Sequence, residues 1–179
     1  MWDTPENLSK APRVIVPLIM ALFKPRTVGD WGCHRGYWLQ AFRRQGVSEL
    51  QGFDGRSYDD QFVIPEQCFQ TVDFEVSIPS YACDLAVSLE TAEHIEEARA
   101  DEFVQALTES APLVLFSAAV PGQGGDGHVN EQPHSYWHKK FAAHGFIVLD
   151  VIRPCLANES DDSVFPWYRN NLFIYKAVT

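Results

Sequence analysis

RTVGDWGCHRGYWLQAFRRQGVSELQGFDG, residues 26–55, is the stretch whose reading decides the fold. Its short apolar run, Thr27 to Trp31, predicts a β-strand. A glycine-bearing turn follows: Asp30-Trp31-Gly32-Cys33-His34-Arg35-Gly36. Tyr37 to Gln45 sets Trp38, Leu39 and Phe42 on one helical face and stops at Gly46. Leu50 to Phe53 predicts a second strand, closed by Asp54. Such a unit offers a nucleoside-containing ligand backbone N–H groups at a helix start and a carboxylate for its ribose hydroxyls.

Upstream, the apolar positions of 11–23 predict a helix beginning after Pro12 and ending before Pro25. Downstream, strands are expected at Phe69–Val72, Leu85–Leu89, Pro112–Ala119, Phe146–Ile152 and Leu172–Val178. Helices are expected at 98–107 and 137–144. The Pro/Asp/Asn-rich stretch 154–171 shows no helical pattern, which favours a hairpin-like final pair. The expected fold is therefore α/β: a doubly wound, mostly parallel seven-stranded sheet with an antiparallel last strand. Residues 1–179 read as one domain, with 1–25 a helical segment over the substrate side. Ligands of such a sheet sit at the carboxyl ends of its strands, here loops 30–36, 54–58, 73–80, 90–95 and 119–136.

The formal net charge of −10 repels phosphate backbones and argues against nucleic acid as partner. Four scattered cysteines, with no CxxC pair, suit free thiols in a reducing compartment. The apolar stretch Val14–Phe23 is too short to span a bilayer and lacks the flanks of a signal peptide. The expectation is a cytoplasmic protein, monomer or homodimer, with a small-molecule substrate and no membrane.

The turn Asp30-Trp31-Gly32-Cys33-His34-Arg35-Gly36 resembles the first motif of class I S-adenosylmethionine-dependent methyltransferases, Asp/Glu-x-Gly-x-Gly-x-Gly. Cys83 to Ile95, CDLAVSLETAEHI, resembles that family's fourth strand and following loop. Over roughly residues 26–178 the order of elements is similar too. The resemblance implies S-adenosyl-L-methionine as cofactor, held by Asp30, Gly32, Cys33, His34, Gly36, Asp54, Gly55, Asp73, Leu89 and Glu90. Within that set Asp54 would take the ribose hydroxyls, Asp73 the adenine amino group, and Asp30 the amino end. His34 stands where the family has a glycine, and a side chain there resists positive φ.

If the segment after Leu89 turns helically, Glu90, Glu93 and His94 fall on one side, with His128 able to complete a set. Carboxylates and imidazoles suit Mg2+ or another divalent cation. This resembles the Glu-x-x-Glu-His metal site of small-RNA 2′-O-methyltransferases and some ubiquinone-pathway O-methyltransferases. The plain alternative is that Glu90 and Glu93 begin a helix and His94 packs locally. The expected catalytic residues are His128, Glu93 and His94, with His128 the general base if no metal binds. Three functions stay open: methylation of a hydroxylated metabolite or sugar, methylation of an RNA ribose, and a catalytically silent cofactor-binding subunit. The missing Gly-x-Gly-x-x-Gly and the hairpin-like ending argue against a nicotinamide-dependent oxidoreductase.

Overall fold

Every side chain of the Leu85–Leu89 and Leu113–Ser117 strands is buried, because helices cover both faces of the sheet they centre. The computed structural model describes residues 4–55 and 62–178. Its elements run α1 (Pro5–Phe23), β1 (Thr27–Trp31), α2 (Tyr37–Arg44), β2 (Glu49–Asp54), β3 (Phe69–Thr71), β4 (Leu85–Leu89) and α3 (Ala100–Ser110). They continue with β5 (Leu113–Ser117), α4 (His134–Ala143), β6 (Phe146–Leu149), α5 (Arg153–Leu156), α6 (Pro166–Asn171) and β7 (Phe173–Ala177). Sheet order is β3-β2-β1-β4-β5-β7-β6. β7 lies antiparallel to both β5 and β6, and the remaining pairings are parallel. The expected architecture is the observed one.

Two cores sandwich the sheet. On one face Ile15, Val16 and Ile19 of α1 and Leu39 and Phe42 of α2 pack on Val28, Leu85, Val87 and Leu115, joined by Ile152, Leu156 and Val164. On the other, Phe103, Val104 and Leu107 of α3 and Trp137 and Phe141 of α4 pack on Trp31, Val114, Phe116 and Tyr175. The alternation of side chains along each strand assigns them to opposite faces. The chain is thus anchored on both sides, and its loops gather at the strand ends.

Two expectations need correction. α1 begins at Pro5, not after Pro12. Thr4 Oγ1 accepts from Asn7 N at 3.3 Å as N-cap, and Pro12 and Pro17 both lie inside the helix. An interior proline costs about 3 kcal/mol, which burial of Ala11, Ile15, Val16 and Ile19 outweighs. The stretch 154–171 carries two short helices, each with proline at its first turn. Among the described residues the connection 72–84 holds no helix. It is pinned by bonds from Trp31 Nε1 to Pro79 O (2.9 Å) and from Tyr81 N to Ser110 Oγ (3.0 Å). Residues 1–3 and 56–58, which belong to the expected N-terminal segment and the 54–58 loop, lie outside the described residues.

Candidate functional site

The turn after β1 is closed by its own backbone. Gly32 N and Cys33 N both donate to Phe53 O, at 2.8 and 3.1 Å, and Gly36 N donates to Cys33 O at 2.8 Å. His34 adopts the positive φ expected of a glycine, 51°. Its N–H donates to Asp54 Oδ2 at 2.8 Å, and this charge-assisted bond offsets the cost of about 1 kcal/mol for a side chain in the left-handed region. The expected resistance of His34 to that conformation is overcome by Asp54. At Gly32, with φ of 90°, a Cβ would lie 2.0 Å from Thr91 Oγ1. The loop after β4 therefore rests directly on this turn.

The structure sorts the residues expected to face a cofactor. Gly55 and Asp73 line a cavity of about 170 Å3, together with Phe74, Thr91, His94 and Ile95. Asp73 Oδ1 also accepts from Glu75 N at 2.9 Å. Cys33 departs from the expected set. Its side chain is buried against Gly52 and its N–H is taken by Phe53 O, so it is turned into the core. Leu89 is likewise a core residue at the end of β4. A cavity of about 120 Å3 between α1 and α2 touches none of the expected site residues.

Asp30 is 2 % exposed, and its Oδ2 has no hydrogen-bond partner among the described residues. Burial first, then the Asp54 charge, raise its carboxyl well above the ordinary value. A carboxyl raised on folding favours the fold most below its unfolded pKa of about 3.9 and progressively less as pH climbs toward its folded value. The thermal midpoint of the ligand-free protein is therefore expected to fall as pH rises from about 4. Asp30→Asn should flatten that slope and raise the midpoint at neutral pH. A pH series of melting curves checks this, and equal slopes for the two proteins would refute it.

Glu90 does not join the Glu93–His94 set as a helical turn would require. It takes a positive φ of 52°, and a single 3-10 turn, Ala92–His94, follows. Its Oε2 accepts from Gln123 Nε2 at 2.7 Å, and Gln123 Oε1 accepts from Asn171 Nδ2 at 2.8 Å. Asn171 Oδ1 then lies 3.0 Å from His134 Nε2, which must donate. Burial raises the Glu90 carboxyl, and its bonds to Ser117 and Gln123 pull it partly back.

Glu93, His94 and His128 do converge, each bringing one ligand atom within 4.8 Å of the others. Their frame is backbone: Val129 N and Asn130 N both donate to Glu93 O, at 2.9 and 3.0 Å. Glu93 is fully buried, and neither of its oxygens has a hydrogen-bond partner among the described residues. Burial, then the nearby Glu90, raise its carboxyl well above the ordinary value. The histidine protons are set by their neighbours. His94 Nδ1 lies 3.1 Å from Gly127 O and His128 Nδ1 2.8 Å from Glu131 Oε1. Both oxygens only accept once Glu131 is ionised, so both Nδ1 atoms carry hydrogen, and in the neutral rings the lone pair is on Nε2. His128 Nε2 stands 3.9 Å from Glu93 Oε1.

A buried, unbonded carboxylate beside two imidazoles that donate outward through Nδ1 is a donor set suited to a divalent cation. Glu131, Gln123 and Asn171 were not found by sequence reasoning. The His128-x-x-Glu131 spacing could have pointed to the first; Gln123 and Asn171 carry no motif.

No protein-family model and no curated protein matches the sequence. Solved structures do match the fold. A SAM-dependent methyltransferase from Archaeoglobus fulgidus superposes with a TM-score of 0.67 at 16% identity, over 98% of this chain and 96% of that one. The methyltransferase domain of bacterial CtHen1-C gives 0.65 at 16% identity, over 97% and 100%. The magnesium protoporphyrin IX methyltransferase of Synechocystis, solved with bound SAM, gives 0.64 at 14% identity, over 97% and 80%. The chain has the fold of these methyltransferases.

Proposed function

We propose that this protein is an S-adenosylmethionine-dependent methyltransferase acting on a hydroxylated small molecule, assisted by a divalent cation at Glu93, His94 and His128. The observation that carries the reading is spatial. Thr91 and His94, from the turn holding the carboxylate–imidazole set, line one cavity with Gly55 and Asp73, from the ends of the strands expected to hold the cofactor. One pocket wall thus serves both chemistries.

S-adenosylmethionine would supply an electrophilic methyl group on its sulfonium, and the cation Lewis acidity toward a substrate hydroxyl. Asp54 accepts the ribose hydroxyls while bracing the turn at His34, and Asp30 offers its buried carboxylate to the amino end. Asp73 accepts from the adenine amino group. The sulfonium would give up its methyl group and keep the bonding pair as a thioether, so the chain's own contribution would be mainly to position the acceptor oxygen. With a cation on His128 the acceptor's proton would pass to solvent, and without one His128 Nε2 would take it. The other expected substrate walls, α1 and the 155–171 stretch, do not line the cavity of Gly55, Asp73 and His94, and Tyr168 packs edge-on against Trp38 in the α1–α2 core. The acidic balance favours a sugar or polyol over an RNA ribose. A silent cofactor-binding subunit was favoured by His34, whose backbone takes the shape of the glycine it replaces.

Calorimetry with S-adenosylmethionine and S-adenosylhomocysteine, followed by tritiated methyl transfer to polyols, sugars and RNA with and without EDTA, tests the reading. Binding and EDTA-sensitive transfer to a hydroxylated small molecule are expected. Failure to bind either nucleoside overturns it.

A further inference from the structure

Glu131 is placed by three bonds at once. Its Oε1 accepts from His128 Nδ1 at 2.8 Å and from Gly124 N at 2.7 Å, and its Oε2 accepts from Gly122 N at 2.8 Å. One carboxylate thereby ties the glycine-rich loop 121–127 to the imidazole that follows it. Opposite, Gly125 makes room for the ring: a Cβ there would lie 2.3 Å from His128 Nε2. The ring is held from behind by a carboxylate and bordered in front by bare backbone.

We propose that Glu131 is the positioning residue of this site. It keeps hydrogen on His128 Nδ1, so that Nε2 faces Glu93 with its lone pair, and it holds the loop in the shape that lets it do so. This rests on the reading of His128 as a working residue, whether ligand or base, since both roles need that lone pair. A neutral imidazole left alone favours hydrogen on Nε2, and in that tautomer His128 would hold a hydrogen where a ligand or a base needs a lone pair. Removal of a carboxylate behind a ligating histidine typically lowers metal affinity about 10- to 100-fold.

The test joins two measurements on wild type and Glu131→Ala. Long-range 1H–15N NMR of the ligand-free protein assigns the His128 tautomer, with His134 as internal control because its Nε2–H faces Asn171. Mn2+ titration reads the ion. Wild type is expected to carry hydrogen on His128 Nδ1. Glu131→Ala, which leaves no acceptor behind Nδ1, should populate the other tautomer, leave His134 unchanged and weaken Mn2+ binding by ten- to a hundredfold (about the range above). Hydrogen on Nε2 in the wild type overturns the proposal without recourse to the variant. So does a variant with the same His128 tautomer as wild type. A wild type indifferent to Mn2+ would instead sink the metal reading, while the His128 spectrum still decides the part played by Glu131.

Discussion

Glu93→Gln is expected to leave S-adenosylmethionine affinity within about twofold of wild type while lowering Mn2+ affinity on the order of 100-fold or more, with methyl transfer falling alongside. The substitution keeps the volume and removes only the charge. Glu93 is fully buried and neither oxygen meets hydrogen-bond geometry among the described residues, so an ionised carboxylate there is only partly compensated, by the backbone at Glu93 and Ala119, until a cation arrives. Without a cation, the amide should be tolerated at least as well as the acid, and the melting temperature of the variant should match or exceed that of wild type. Unimpaired folding with lost ion binding separates a ligand from a structural residue. Activity indifferent to EDTA in the wild type, or unchanged Mn2+ affinity in the variant, would remove Glu93 from the reaction.

Asp54→Ala is expected to raise the dissociation constant for S-adenosylmethionine on the order of 100-fold, or about 3 kcal/mol. Two effects add. The ribose hydroxyls lose a charged acceptor, and the turn loses the bond that holds His34 at positive φ. Asp54→Asn separates them, because an amide oxygen still accepts from His34 N while the charge is gone. Its loss should be about tenfold, that of one charge-assisted bond. Calorimetric titration of both variants measures the split. Wild-type affinity in Asp54→Ala would place the cofactor elsewhere.

How much of this was legible in the sequence depends on how local each cause is. The unit from Thr27 to Asp54 was readable because strand, turn and helix are each set by neighbours along the chain: apolar runs, Gly32, Gly36 and Gly46. The antiparallel β7 was expected from the lack of a long crossover helix, and α5 and α6, of four and six residues, do not supply one. α1 was started too late because Pro12 resembles a helix start, as Pro5 behind Thr4 does, and only packing shows that the helix runs on through both interior prolines. α5 and α6 are short and were hidden in a stretch rich in turn formers. At the site, Glu93, His94 and His128 were found by residue type and spacing. The departure of Glu90 was not, because a positive φ at one residue redirects it and no pattern announces that. Glu131 escaped for a different reason: its partners are two backbone N–H groups and an imidazole brought together by a folded loop.

The absence of any space for a Cβ between Gly32 and Thr91 has a thermodynamic consequence. On the proposed function, the turn that would hold the nucleoside and the turn that would hold the cation abut without a cushion, so displacement of one would displace the other. Occupancy of the two places is then linked, and linkage is reciprocal: whatever factor the nucleoside applies to cation affinity, the cation applies to nucleoside affinity.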